Sequence, residues 1–143
     1  MVVIKEISAK EAYPIRLEIL RKGIDLPVQF TGDFDIETFH LGAFYKSELV
    51  GISSYMKSRN SNFNKQQYQL RGMATLPKVR GKGCGKMMLE FAINELESRK
   101  ATSLWCNARE IALNFYTNLG FDIIGNSFEL SLIGRHYELH KEL

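Results

Sequence analysis

The chain has 143 residues, 45% hydrophobic and 24% charged, with 19 Lys or Arg against 16 Asp or Glu and a net charge of +3. That length and balance suit one domain spanning residues 1–143, with a real core. They exclude a multidomain machine, a disordered tract and a collagen-like repeat. Its two cysteines, Cys84 and Cys106, form no C-x-x-C pair and sit at no zinc spacing, so neither a disulfide framework nor a metal is expected.

Val2 to Ile7 is a β-branched run that reads as a first strand. Ser8 and Glu11 have capping-box spacing, so a helix should follow to about Lys22 and stop at Gly23, starting or kinking at Pro14. Residues 24–38 have no period and read as a long loop, a kind of segment that often carries function or covers one end of a sheet. His40–Tyr45 and Glu48–Met56 suggest a hairpin around Lys46-Ser47, and 57–65 a polar turn. Gln66–Leu76 is a third long strand, interrupted at Gly72 in the manner of a bulge and ended by Pro77.

From Gly83 to about Arg99 the period becomes helical, with Leu89, Ala92, Ile93 and Leu96 on one face. Thr102–Cys106 is a short strand. Ala112, Phe115, Tyr116 and Leu119 repeat the helical spacing up to Gly120. Phe121–Ile124 and Phe128–Leu139 read as closing strands joined through Gly125-Asn126. The order β-α-β-β-β-α-β-α-β-β places the chain in the mixed α/β (α+β) class.

MVVIKEIS carries Lys5 and no long apolar core, and no stretch approaches the ~18 continuous apolar residues of a membrane span. A cytoplasmic protein without a membrane partner is expected. Charge is distributed unevenly. Lys78, Arg80, Lys82 and Lys86 put four cations and no acid into nine residues, while the rest of the chain holds 15 basic and 16 acidic residues. A nucleic-acid binder spreads its cations along a face, so no nucleic-acid partner is expected and one small polyanion suits the cluster better.

The cluster lies in Leu76–Lys86, LPKVRGKGCGK, between a strand and an amphipathic helix, with glycines at 81, 83 and 85. Glycine lets backbone approach a ligand, and the helix start offers unpaired N–H groups and a positive dipole end. Together they make an anion cradle for a phosphate or pyrophosphate; a plain glycine-rich turn is the simpler alternative. A nucleotide-triphosphatase loop is disfavoured, because its first glycine position is Arg80 and its last position is Met87. A dinucleotide G-x-G-x-x-G would need glycine where Lys86 stands.

Arg80, Gly83 and Gly85 match R-x-x-G-x-G, and Ala112–Phe121 matches A-x-x-F-Y-x-x-x-G-F. With Met73–Pro77 between strand and loop, residues 40–124 resemble the GCN5-related N-acetyltransferases, in particular small, poorly characterised bacterial members. The resemblance implies an acetyl-CoA-dependent N-acetyltransferase fold with splayed central strands and acetyl-CoA as cosubstrate. It implies that Met73 and Thr75 pair their backbone with the pantetheine arm, with Ala74 between them in the cofactor site, and that Arg80, Gly81, Lys82, Gly83, Cys84, Gly85 and Lys86 hold the pyrophosphate. It implies Tyr116 as general acid to the departing thiolate; periodicity alone would make Tyr116 a core residue. The family's asparagine seven residues before that tyrosine is Arg109 here, which leaves Asn107 and Asn114 as neighbouring candidates for coenzyme contact.

Imidazole titrates near neutral pH, so His136 is the first candidate for general base, ahead of His40, Glu129 and Glu48; a lone strand histidine can equally be structural. Arg71 could hold a substrate carboxylate or phosphate, or pair with a structural acid such as Glu48 or Glu129. Trp105 and Cys106 read as core or cleft wall. Cys84, in the cationic loop, could have a lowered pKa. The expected reaction is acetyl transfer to the primary amine of a small molecule. A non-catalytic acyl-CoA sensor and a protein or peptide acetyltransferase are the alternatives. The resemblance also implies a possible homodimer, with Phe128–Leu139 as a candidate edge; the same run could equally finish the monomer's own sheet.

Overall fold

The computed structural model describes residues 1–64 and 66–143. Seven strands form one sheet in the order β1-β2-β3-β4-β5-β7-β6: β1 (Val2–Ile7), β2 (Phe39–Tyr45), β3 (Glu48–Lys57), β4 (Gln67–Thr75), β5 (Ser103–Arg109), β6 (Asp122–Leu130) and β7 (Gly134–Glu142). Every neighbouring pair is antiparallel except β4 and β5, which run parallel. Helices α1 (Ala9–Ile15), α2 (Cys84–Ser98) and α3 (Leu113–Asn118) complete the expected order.

Successive strand residues point to opposite faces, which assigns each helix its side. Ser53 on β3 meets Met88 of α2, while its neighbour Ser54 bonds Arg16 beyond α1. One face therefore packs Ala12 and Ile15 of α1 on Ile7, Ile52 and Ala74. The other packs Leu89, Ala92 and Leu96 of α2, with Tyr116 of α3, on Phe39, Leu41, Tyr55, Leu104 and Leu139.

The Ser8–Glu11 capping box is formed in both directions, at 3.1 and 2.9 Å. Pro14 lies inside α1, where its missing N–H leaves one backbone bond unmade. The helix then widens into a π-helical turn, Arg16–Leu20, and ends there, short of Lys22. The hairpin at Lys46-Ser47 has both residues at positive φ, 51° and 68°, as a two-residue turn of the primed type requires. The closing hairpin turns elsewhere than expected. Strand β6 runs on to Leu130, and the chain reverses through 131–133, with Leu132 at φ 72°. Gly125-Asn126 instead lies in a bulge, where the β6–β7 register slips between Ile124 and Phe128.

Two irregularities of β4 position the site. The β3–β4 register slips between Ile52 and Ser54, so Gly72 and Met73 together oppose Ser53. Gly72 has φ +65°, and a Cβ there would come within 2.9 Å of the Phe30 ring, so only glycine fits. On its other edge β4 pairs with β5 at Gln67–Ser103, Tyr68–Leu104 and Gln69–Trp105, and no further. From there the two strands separate.

The 24–38 loop is held down by a buried ion pair. Arg16, with no exposed surface, donates Nη1 to Asp33 Oδ2 at 2.7 Å and Nη2 to Asp33 Oδ1 at 2.9 Å. Its Nη2 also donates to Ser54 Oγ, whose other contact is His40 Nδ1 at 2.7 Å, and the Phe30 N–H donates to Asp33 Oδ2 at 2.8 Å. Burial alone would raise the Asp33 carboxyl, but the hydrogen bonds from Arg16 and Phe30 outweigh it and hold its pKa below the ordinary value. Stability from this depressed group is complete above the unfolded value of about 3.9 and is lost as pH falls through the lower folded value. Asp33→Asn should cost about 3–5 kcal/mol, because it leaves the Arg16 charge buried and unpaired. Urea melts from pH 7 to pH 2 should show that loss, and the Asp33 part of the acid-induced fall should be missing from the variant.

Candidate functional site

Separation of β4 from β5 opens a passage between the faces of the sheet, and two cavities occupy it. The first, of about 260 Å³, is lined from the α1 face by Leu20, Arg21, Ile24 and Phe30, and from the strands by Arg71, Gly72, Met73, Cys106, Asn107 and Arg109. Tyr116 and His136 also line it. The second, of about 460 Å³, is lined by Met73, Ala74, Thr75, Arg80, Gly81, Gly83, Cys84, Gly85, Lys86, Arg109 and Phe115. Leu20, Met73 and Arg109 belong to both, so the cavities are adjacent.

The second cavity is built for an anion. Gly83 precedes α2 in a left-handed conformation (φ 81°), and no side chain caps the helix. The first N–H groups of α2 therefore have no intrahelical or capping partner. A Cβ at Gly81 or Gly83 would meet nothing within 4 Å, so the loop backbone faces open space. Arg80 and Lys86 bring charge to this cavity. The other two cations of the cluster do not line it: Lys78 is paired with Glu48 at 2.7 Å, and Lys82 lies 5.6 Å from the Tyr45 ring.

The β4 backbone supplies a second set of polar groups. Leu76 N–H donates to Val50 O on β3 at 2.8 Å. In an antiparallel ladder alternate residues face alternate sides, so Met73 and Thr75 turn their N–H and C=O groups away from β3, into the gap. Arg80 Nη2 approaches Thr75 O from that side at 3.4 Å.

Tyr116 is buried and fixed by edge-on contacts with Phe115 (4.9 Å) and Phe121 (5.4 Å). Burial pushes its hydroxyl pKa well above 10, Cys106 and Tyr55 add to this, and Arg109 opposes it. His136 is buried on β7 beside Arg109 of β5. Its Nδ1 donates to the Gly134 carbonyl at 2.8 Å, which leaves Nε2 of the neutral ring as an acceptor. The other base candidates are engaged away from the cavities: His40 in the Arg16–Asp33–Ser54 network, Glu48 with Lys78, and Glu129 with Arg135.

Arg71 lines the first cavity with its guanidinium 4.5 Å from the Phe30 ring, and among the described residues it has no acid within ion-pair distance. Asn107 lines the same cavity, whereas Asn114 is exposed on α3 and lines neither. Trp105 lies on the other side of β5 from Cys106, bonded to Ser58 Oγ at 2.7 Å and packed near Phe63. The lowered Cys84 pKa expected from its cationic loop is not found. The side chain is buried beneath the loop, and burial raises the thiol instead. Among the described residues no three His, Cys, Asp or Glu side chains gather as a metal-binding group. Phe30, Arg21 and Ile24 are lining residues that periodicity did not mark; Phe30 and Ile24 lie in the unusually long 24–38 loop, and Arg21 precedes it.

Cys106 is likewise buried, with its thiol pushed up by desolvation. Both thiols should stay unmodified by Ellman's reagent at pH 8 in the native protein, and two equivalents should react once guanidinium unfolds it.

The family model described as the acetyltransferase (GNAT) family matches residues 9–121. An uncharacterised N-acetyltransferase of Bacillus subtilis, YitI, is 33% identical over 145 aligned positions, covering 100% of this chain and 97% of that protein. Among solved structures, Escherichia coli ElaA superposes with a TM-score of 0.83 at 15% identity, over 99% of this chain and 100% of that one. An aminoglycoside 6'-N-acetyltransferase complexed with coenzyme A superposes with a TM-score of 0.79 at 13% identity, over 98% and 96% of the two chains.

Proposed function

This chain belongs to the acetyltransferase (GNAT) family, and on that footing we propose that it moves an acetyl group from acetyl-CoA to the primary amine of a small molecule. The observation that carries the reading is the adjacency of the two cavities, one lined by an uncapped helix start and the other by Tyr116. The related aminoglycoside acetyltransferase holds coenzyme A, and the cradle here has the donors for the same ligand. N–H groups of the Gly81–Lys86 segment, with Arg80 and Lys86, hold the pyrophosphate. Met73 and Thr75 offer their gap-facing backbone groups to the pantetheine arm as an added strand would.

The acceptor then enters through the first cavity. At about 260 Å³ this cavity is below the usual range for drug-sized ligands and has room for a small acceptor. His136 Nε2 takes the proton from the ammonium, directly or through water, and frees the nitrogen lone pair. The nitrogen attacks the thioester carbonyl while a β4 N–H polarises the carbonyl oxygen. The C–N bond forms, the C–S bond breaks, and the Tyr116 hydroxyl gives its proton to the departing sulfur; the nitrogen then sheds its second proton, which returns to the Tyr116 oxygen directly or through water. A tyrosine whose pKa is raised by burial keeps that proton at every physiological pH, as an acid must.

Tyr116→Phe should lower kcat about 10²- to 10⁴-fold in a thiol-release assay. Its melting temperature and coenzyme A affinity should stay near wild type, since the ring packing is kept. Calorimetric titration with acetyl-CoA and coenzyme A tests the cradle. Wild type should bind in the micromolar range, and an Arg80→Glu, Gly83→Glu variant, shown folded by circular dichroism, should not. No binding by wild type up to millimolar ligand would overturn the reading.

A further inference from the structure

The first cavity has a charge imbalance that the transfer reaction does not account for. Arg21, Arg71, Arg109 and His136 line it, and among the described residues no Asp or Glu does. Arg21 and Arg71 both lie over the Phe30 ring, at 5.3 and 4.5 Å, and Arg16 occupies the same ring at 3.9 Å. The carboxylate that serves this cluster is Asp33, and Arg16 engages both its oxygens. Three guanidinium groups thus gather around one aromatic ring with one neutralising partner already taken.

Guanidinium does not lose its proton under ordinary conditions, so the remaining two charges persist. Burial, and then the Arg16 charge, pull the Arg71 pKa below its ordinary value, with Asp33 opposing and Arg21 adding a little. The site is therefore uncomfortable for a cation until something negative arrives. It is also already shaped. Arg21 is oriented by Pro27 O (3.1 Å to Nε) and Leu20 O (3.2 Å to Nη1), which leaves Nη2 available. Arg71 is held against Phe30, and among the described residues no carbonyl or carboxylate takes its N–H groups. Tyr116 and His136 line the same cavity.

We propose that the acceptor amine carries an anionic group, a carboxylate or a phosphate, which Arg71 and Arg21 grip beside Phe30 while the amine faces Tyr116 and His136. This rests on the acetyl-transfer reading and narrows its substrate class. Polycationic acceptors are excluded by the same charges. Arg109 is shared with the coenzyme cavity.

The test begins with coenzyme A binding by wild type, Arg71→Gln and Arg21→Gln. All three should bind alike, which shows that the variants fold; failure of wild type to bind would overturn the transfer reading itself. Each protein, saturated with coenzyme A, is then melted with sodium acetate or inorganic phosphate against sodium chloride at equal ionic strength. Wild type should gain melting temperature with at least one of the two ions, and which one tells carboxylate from phosphate. The gain should disappear in Arg71→Gln and shrink in Arg21→Gln. In the thiol-release assay β-alanine, O-phosphoethanolamine and β-alaninamide form a matched set. Any turnover of the charged pair should exceed that of the amide and fall about 10- to 100-fold in Arg71→Gln through KM. Equal ion effects in wild type and Arg71→Gln, or preferred turnover of the amide, would overturn the proposal.

Discussion

Beyond Gln69 and Trp105 the facing edges of β4 and β5 have no partner in each other, and unpaired backbone inside a protein must be satisfied by something else. The fold makes this separation obligatory. The Gly72 bulge turns β4 away from the path a parallel partner would follow, and the Phe30 ring sits where any side chain at that position would go. The same divergence leaves room for α3 to bring Tyr116 under the sheet and for the 24–38 loop to reach over it. Both cavities exist because one ladder stops early.

What keeps the opening in shape is electrostatic rather than hydrophobic. The Arg16–Asp33 pair is fully enclosed, and the hydrogen bonds of Ser54, His40 and the Phe30 N–H complete it. A buried pair of this kind adds little net stability relative to a well-packed apolar substitute. Its value lies in position: it fixes a loop of mixed composition against β3 and the bulge of β4, where apolar contacts alone would allow several arrangements. Phe30 then presents one ring to three arginines, and the loop becomes a wall of the first cavity.

Much of this was legible in the residues. Strand and helix order followed from periodicity, and the capping box at Ser8 and Glu11 formed as its spacing requires. The three glycines, the helix start, Arg80 and Lys86 converge on one cavity because their chemistry is local in sequence. Tyr116, Met73–Thr75 and Arg71, named from a motif or strand placement, and His136, named for its imidazole, line the cavities; Asn107, named for the coenzyme, lines the first cavity and not the second, and Asn114 lines neither. The misses have physical causes. Lys78 and Lys82 belong to the charge cluster by sequence, but Glu48 and Tyr45, about 30 residues or more away, draw them aside. Cys84 was read from its neighbours' charges, whereas its burial is decided by how α2 packs. The closing hairpin was placed at Gly125-Asn126 because that pair is a turn signal; a bulge uses the same backbone conformation, and pairing with β7 decided between them. Phe30 and Arg21 had no local signal, since their role arises from a fold-back of the loop across 14 residues onto Arg16.

Pro14 has a reach that its own contacts do not suggest. In a regular α-helix residues five apart stand about 140° from each other around the axis. The π-helical turn after Pro14 takes more residues per revolution, and so swings Arg21 round toward the side on which Arg16 enters the core. With the helix locally unwound, both guanidinium groups reach the same ring. A residue that touches no cavity thus sets the angular phase of one that lines it. Homologues that have alanine at this position and a straight first helix would carry their second arginine on the outside. For them Arg71 would face the acceptor beside Phe30 without its second guanidinium partner, and the strength of that grip would have been set by a backbone hydrogen bond.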